Sequence, residues 1–352
     1  MNKIKVAVIF GGVSTEHDVS VVSGTSVIEK LNKEKYEIFP IYIDLDGTWY
    51  VYKKPVNEIK VVEIKTKLEE LEKIDNIINY LQQMDVAFPV LHGLGGEDGS
   101  IQGLFKMLNI PYVGCGILAS SVGMDKVYTK IILEKAGIQQ AKYEYIKVIN
   151  GEYTYISKGF TEEKMELSKI AEKISDEITY PMFVKPSNSG SSVGVKKAKN
   201  KEELECAIEY AAKYDSKILV EQGIEGREVE CAVLGNEEVI SSPVGEVLSA
   251  EDFYSFDSKY INTESKTVIP ADIDKEISNK IRDFAIKAFK AIDGKGLSRV
   301  DFFVERKTNK IYINEINTLP GFTTISMYPK LFEQIGIKYS DLLDKLISLA
   351  KC

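Results

Sequence analysis

Arg299-Val300-Asp301-Phe302-Phe303-Val304-Glu305 and Lys310-Ile311-Tyr312-Ile313-Asn314-Glu315-Ile316-Asn317 flank the tetrapeptide Arg306-Lys307-Thr308-Asn309 and run on into Leu319-Pro320-Gly321. Both flanks are rich in Val, Phe, Ile and Tyr, and the polar segment between them reads as a hairpin turn. A hairpin folded about Thr308 sets Asp301 opposite Glu315. Glu315 and Asn317 then share one strand face, with Cα atoms about 6.6–6.8 Å apart. Two carboxylates and an amide are hard oxygen donors of the kind that bind magnesium, which commonly keeps substrate phosphates as further ligands. Arg299 lies on the same face, where its planar fork suits phosphate oxygens or a developing oxyanion. An ordinary polar strand face alternates in the same way, so the reading depends on chemistry elsewhere in the chain.

A chain of 352 residues accommodates two or three domains. Its 44% hydrophobic content supports packed cores rather than disorder, and 28% charged residues with a net charge of -8 point to a soluble protein without a general nucleic-acid role. Cys115, Cys206, Cys231 and Cys352 lack metal-ligand spacing and read as reduced thiols. His17 and His92 are the only histidines and do not form a zinc pattern. The N-terminal residues run directly into an apolar strand, unlike a secretory signal, and no apolar run reaches the roughly 18 residues of a membrane span. A cytoplasmic setting without membrane partners is the expectation.

Along the chain, an apolar strand at residues 5–10, a helix through Lys30 and a strand from Tyr36 to Ile43 give a β-α-β start. A helix over Leu68–Gln82 and a strand over Val86–Leu91 follow, placing an open α/β domain at 1–122. Residues 123–215 read as a small α+β subdomain. Its expected elements are a helix to Ala136, a strand over Lys142–Val148, a helix over Glu162–Ile174, strands over Tyr180–Lys185 and Val193–Lys196, and a helix over Lys201–Lys213. A third region, 216–352, opens with a strand over Lys217–Glu221. It continues with strands over Glu228–Leu234 and Glu238–Gly245, a polar and aromatic interruption over Ser249–Lys266, a helix over Ile273–Ile292, the acidic hairpin, and a helix over Tyr339–Ala350.

Lys185-Pro186-Ser187-Asn188-Ser189-Gly190-Ser191-Ser192-Val193-Gly194-Val195 is a second chemical signal. Successive N–H groups and hydroxyls in such a turn can cradle phosphate, although a flexible hairpin has the same composition. It lacks the Gly-Lys-Ser/Thr ending of a P-loop. Lys126 can add a positive charge from a neighbouring element. Gly11 to Glu16 lacks the dinucleotide fingerprint; Glu16 suits either a substrate ammonium or the start of a helix. His92 heads a glycine-rich loop and can orient a carboxylate. Glu221-Gln222-Gly223-Ile224-Glu225-Gly226-Arg227-Glu228 suits an adenine- and ribose-binding linker, or a solvated acidic loop.

Taken in order, these segments resemble the D-alanine–D-alanine ligases, ATP-grasp enzymes of peptidoglycan precursor synthesis. The resemblance rests on Gly11 to His17, His92 to Gly99, Met124-Asp125-Lys126, Lys185 to Gly194, Arg299 to Asp301 and Glu315 to Thr323, and so spans nearly the whole chain. It implies an ATP-grasp fold, α/β and α+β, in which two subdomains enclose ATP beside the N-terminal domain. It further implies that Lys126 and Lys185 contact phosphates beneath Ser191 and Ser192, that Glu221 and Ile224 hold adenine, and that Glu228 binds ribose. Asp301, Glu315 and Asn317 are expected to hold two Mg2+ ions, with Mn2+ as a substitute. Glu16 and His92 are expected at the first D-alanine and Ser326 at the second. Arg299 and the Gly321 backbone are expected to stabilise the oxyanion. Lys259 and Tyr260, within the segment from Phe253, are expected to form a cover that closes against Ser191, and Phe253 and Lys259 are also expected to contact the nucleotide. A homodimer is the family's usual assembly. Ligases that join D-alanine to D-lactate or D-serine share the fold, and a non-catalytic nucleotide-binding regulator is the reading from a different class.

Overall fold

The computed structural model describes residues 3–52, 70–248 and 266–351. Phe253, Lys259 and Tyr260 lie outside the described residues. The N-terminal part runs through β1 (Ile4–Gly11), α1 (His17–Lys30), β2 (Tyr36–Ile43), β3 (Trp49–Tyr52), β4 (Leu71–Lys73), α2 (Ile77–Leu81), β5 (Val86–Pro89), α3 (Ser100–Met107) and α4 (Ile117–Met124). Its sheet has the order β4-β3-β2-β1-β5, with β1 parallel to both β2 and β5. Val6 to Phe10 are entirely buried, as a parallel strand covered on both faces requires. The helix expected over Leu68–Gln82 is not formed across the described part of that stretch. Leu71–Lys73 is instead an edge strand on β3, and only Ile77–Leu81 is helical, capped by Asn76, which accepts from the Asn79 N–H at 3.0 Å. Its spacing suits a helix, but the open edge of β3 offers hydrogen bonds to three residues whose one apolar member, Leu71, is buried.

The central part comprises α5 (Lys126–Lys135), β6 (Tyr143–Ile149), β7 (Glu152–Ile156), β8 (Glu162–Lys164), α6 (Leu167–Glu177), β9 (Met182–Pro186), β10 (Lys196–Ala198), α7 (Lys201–Ala211) and β11 (Lys217–Gln222). These strands form an antiparallel sheet of order β10-β9-β11-β6-β7-β8. The helices α6 and α7 bury Ile170, Ile174, Leu204 and Ile208 against it. Three expectations are corrected here. Residues 162–164 pair with β7, so the helix begins at Leu167. Val193 to Val195 belong to the turning loop, and the strand after it is Lys196–Ala198. β11, expected to open the third region, is hydrogen-bonded between β6 and β9, because its apolar run completes the central core.

The remaining chain forms β12 (Gly226–Gly235), β13 (Val239–Leu248), β14 (Lys266–Val268), α8 (Lys275–Ala291), β15 (Gly296–Glu305), β16 (Ile311–Asn317), α9 (Met327–Glu333) and α10 (Tyr339–Ala350). Its sheet, β14-β13-β12-β15-β16, is antiparallel throughout. One face packs on α8. The other shares a core with α9, α10 and the N-terminal sheet, so the first and last parts of the chain are joined by one apolar cluster. Phe322 sits at that junction, edge-to-face with Phe88 at 6.0 Å between ring centroids and beside Tyr328 and Tyr339 at 5.6 and 6.2 Å. The Tyr328 hydroxyl donates to the Val233 carbonyl at 3.0 Å, so this buried ring leaves no polar atom unpaired. Phe322→Ala is expected to destabilise the protein by about 3–5 kcal/mol, measured by denaturant unfolding, because the site is walled by three other aromatic rings and cannot collapse.

Candidate active site

A cleft of about 1610 Å³ runs between the two antiparallel sheets and reaches the first loops of the N-terminal sheet. Every described residue singled out from the sequence lines it: Glu16, His92, Lys126, Lys185, Ser191, Ser192, Glu221, Ile224, Glu228, Arg299, Asp301, Glu315, Asn317, Gly321 and Ser326.

The hairpin of β15 and β16 forms one wall. Asp301 is paired with Glu315 and Arg299 with Asn317, and a bulge follows Asp301 where the register shifts by one. On the other side of β15, Glu230 of β12 is in register with Asp301, so Glu230, Asp301 and Glu315 make one row across three strands. Arg299 grips Asp301 with two hydrogen bonds of 2.7 Å and lies 3.1 Å from Glu230. Burial opposes its charge, but Asp301 and Glu230 outweigh that and hold the guanidinium well above its usual pKa range. The Asn317 amide donates to Asp301 at 3.0 Å, which points its NH2 inward and leaves its oxygen for another partner. Three carboxylates against one guanidinium leave this row anionic; among the described residues no three acidic, histidine or cysteine side chains gather so as to hold a metal ion, but Asp301, Glu315 and Asn317 offer the hard oxygen ligands a divalent cation takes.

The opposite wall carries the lysines. Asp125 caps α5 by accepting from the N–H groups of Val127 and Tyr128 at 3.1 Å, and it also accepts from Ser187 at 2.6 Å and from Lys217. Asp215 accepts from the Asn188 N–H at 2.8 Å. The N-terminal stem of the Gly/Ser loop is therefore fastened to the start of α5 and to the turn before β11, and its C-terminal end runs into β10, paired with β9. Its tip turns sharply: Ser191 and Ser192 both take left-handed backbone angles, with φ of 47° and 61°. Lys126 donates to the Ser189 carbonyl and Ser191 to the Glu16 carboxylate, so the loop lies across the cleft onto the N-terminal domain. Glu221 receives Lys185 on one oxygen and Lys130 on the other at 2.8 Å. Burial alone would raise the Glu221 carboxyl, but these two ammonium groups outweigh it and hold it at about 2.

At the N-terminal end, a Cβ on Gly93 or Gly190 would lie 2.8 or 2.6 Å from a Glu16 oxygen, and Gly93 has a φ of 75°. Only glycine lets both backbones close around that carboxylate. His92 is buried, joined to Ser23 Oγ at 2.9 Å and to the Leu319 carbonyl at 3.2 Å, and burial lowers its pKa, favouring the neutral ring. His17 bonds Gly12 O at 2.7 Å and Tyr42 at 3.2 Å, a structural role. Ser326 accepts from the Thr323 N–H at 3.0 Å, beside the Gly321 backbone.

Three ionisable residues of this region escaped the sequence reading. Glu230 is two residues from Glu228, and that period on a strand was the available signal. Lys130 is one helical turn from Lys126, a spacing that puts both on one face of α5. Glu97, in the glycine-rich loop, had no signal beyond its acidity. It faces the cleft but is densely surrounded, accepting from the Gly93 N–H at 2.9 Å and the Leu319 N–H at 3.4 Å. Burial, reinforced by nearby Glu16, pushes its carboxyl up to about 8.

The D-ala D-ala ligase N-terminus family matches residues 5–115, and the D-ala D-ala ligase C-terminus family matches 132–348. The D-alanine–D-alanine ligase of Acetivibrio thermocellus is 48% identical, over 99% of this chain and 96% of that protein. That of Ruminiclostridium cellulolyticum is 50% identical over the same shares. Among solved structures, the VanG D-Ala:D-Ser ligase from Enterococcus faecalis is 37% identical, with a TM-score of 0.85 over 99% of this chain and all of that one. The D-alanine-D-alanine ligase from Coxiella burnetii is 32% identical, with a TM-score of 0.82 over 100% of this chain and 94% of that one.

A carboxyl raised from 4.5 to about 8 keeps its proton in the folded protein while the unfolded chain loses it, so this group withdraws stability as pH climbs through that window. The melting temperature of Glu97→Gln minus that of the parent should therefore increase between pH 4.5 and 8, followed by scanning calorimetry across that range.

Proposed function

We infer that this chain, which belongs to the D-alanine–D-alanine ligase family of ATP-grasp enzymes, joins two D-alanine molecules into D-alanyl-D-alanine at the cost of ATP, supplying peptidoglycan synthesis. The observation that carries the reading is convergence: cationic, oxyanion-type and acidic groups from three parts of the chain line one cleft, in a chain matched along both its parts by D-ala D-ala ligase families.

A carboxylate is a poor acyl donor, so the first D-alanine is activated as its acyl phosphate, and the free amine of the second then attacks. Lys126 and Lys185 offset phosphate charge, and the N–H groups and hydroxyls around Ser191 and Ser192 cover the transferred group. Glu221, Ile224 and Glu228 hold the nucleoside, with Phe253 and Lys259 assigned to the same side by the family resemblance. Asp301, Glu315 and Asn317 would hold two Mg2+, or Mn2+, which supply charge neutralisation at the phosphates. Glu16, cradled by Gly93 and Gly190, receives the first substrate's ammonium. Neutral His92 lies at its carboxylate. Arg299 and the Gly321 N–H face the oxyanion of the tetrahedral intermediate. Ser326 takes the second substrate's carboxylate, and Tyr260 closes with Ser191 so that water is kept from the acyl phosphate. No protein nucleophile is needed. A homodimer through the N-terminal domain belongs to the same reading; exposed Met107 and Leu118 on α3 and α4 are apolar surface such an assembly would cover.

The similarity to a D-Ala:D-Ser ligase makes D-serine the competing second substrate. ADP release with mass identification of the product, using D-alanine, D-serine or D-lactate as second substrate, is expected to give D-alanyl-D-alanine as the main product at neutral pH. Dominant D-alanyl-D-serine or D-alanyl-D-lactate would reverse the assignment. Asp301→Asn should lower kcat by about 100-fold or more, the scale of losing several kcal/mol of charge stabilisation. Unchanged magnesium-dependent turnover would remove Asp301 from the metal site.

A further inference from the structure

Lys130 is a buried cation without a place in that mechanism. Its side chain is 4% exposed and that of Glu221 7%, with 2.8 Å between them, and the Tyr143 ring centroid lies 5.5 Å from the ammonium. Glu221 and Lys185 line the cleft; Lys130 does not. One carboxylate therefore serves two cations, one facing the substrate space and one behind it. If Lys185 alone neutralised Glu221, every contact it made with a phosphate would be won by stripping a buried carboxylate of its partner, which is among the costlier electrostatic changes in a protein interior.

We propose that Lys130 is a positioning residue for nucleotide binding, acting through Glu221: it keeps that carboxylate neutralised and oriented, so that Lys185 is free to turn to the nucleotide phosphates. This rests on the nucleotide reading given above. With both lysines present the trio carries a net positive charge, complementary to a polyphosphate. Without Lys130 the remaining pair is neutral and self-satisfied. The side chain leaves α5 one turn after Lys126, so the same helix supplies a lysine to the Gly/Ser loop and another to the back of the linker strand.

The test is calorimetric binding of a non-hydrolysable ATP analogue with Mg2+, in the absence of D-alanine, to four proteins: parent, Lys130→Met, Glu221→Gln and the double variant. Met keeps the apolar stem and leaves a neutral pair, so folding is expected. Lys130→Met should weaken binding by about tenfold or more. In the Glu221→Gln background the same change should matter by less than about threefold, because the carboxylate it protects is gone. In steady state, KM for ATP should rise while KM for D-alanine stays unchanged. An equal loss in both backgrounds would make Lys130 only a distant positive charge and overturn the proposal, as would no loss at all. Should Lys130→Met fail to fold, affinities of Glu221→Gln and the double variant differing by more than about threefold would still overturn it. Failure of the parent to bind the analogue would instead overturn the nucleotide reading on which the proposal stands.

Discussion

The peptide run from Leu319 to Phe322 is held from two sides, and the rest of the cleft is arranged about it. On the N-terminal side, His92 bridges Ser23 to the Leu319 carbonyl, Glu97 accepts from the Leu319 N–H, and Ser23 Oγ accepts from the Phe322 N–H at 3.3 Å. On the C-terminal side, Phe322 packs against Tyr328 and Tyr339, while its edge meets Phe88 of the N-terminal sheet. The Gly321 backbone between these anchors cannot shift without breaking hydrogen bonds to one domain or packing in the other. In the reaction proposed above, the Gly321 N–H is an oxyanion donor, which is effective only if it is already in place when charge develops; this double attachment would provide that rigidity.

Charge is handled differently on the two walls. The acidic wall is over-supplied with carboxylates, with Arg299 set between Glu230 and Asp301. The basic wall is over-supplied with lysines, two of them sharing Glu221. Each wall is thus partly neutralised from within, so neither leaves an isolated charge in a poorly solvated place, yet each keeps a residual sign. A substrate with an anionic tail and bound divalent cations matches both. The Gly/Ser loop adds a third element. Its N-terminal stem is pinned by Asp125 and Asp215, and its tip meets Glu16, so the loop is joined to the N-terminal part of the chain through the Ser191–Glu16 hydrogen bond.

Legibility in the sequence followed the strength of local pattern. The hairpin at Thr308 could be placed because strand alternation and a polar turn are short-range properties, and the expected pairing of Asp301 with Glu315 is the observed one. The bulge beyond Asp301 was not legible, because it depends on how both neighbouring strands are packed. The spacing at Leu71–Lys73 and Glu162–Lys164 suits a helix, yet both are strands; in each, three residues follow the hydrogen bonds of an open sheet edge over a weak local preference. β11 is a strand as expected but completes the central sheet rather than the third region, since an apolar strand carries no label saying which sheet it joins.

Residue type and order along the chain determined which chemical groups this protein carries and, through the ordered family motifs, the fold and the reaction to expect, because those features are encoded within short stretches of backbone. The tertiary structure alone decided that Glu97 is buried within the electrostatic reach of Glu16, that Lys130 stands behind Glu221, and that Arg299 lies beside Glu230. Those are relations between residues brought together by packing across strands, helices and domains. Burial then magnifies each of them, since a charge removed from water responds most strongly to the one neighbour left beside it.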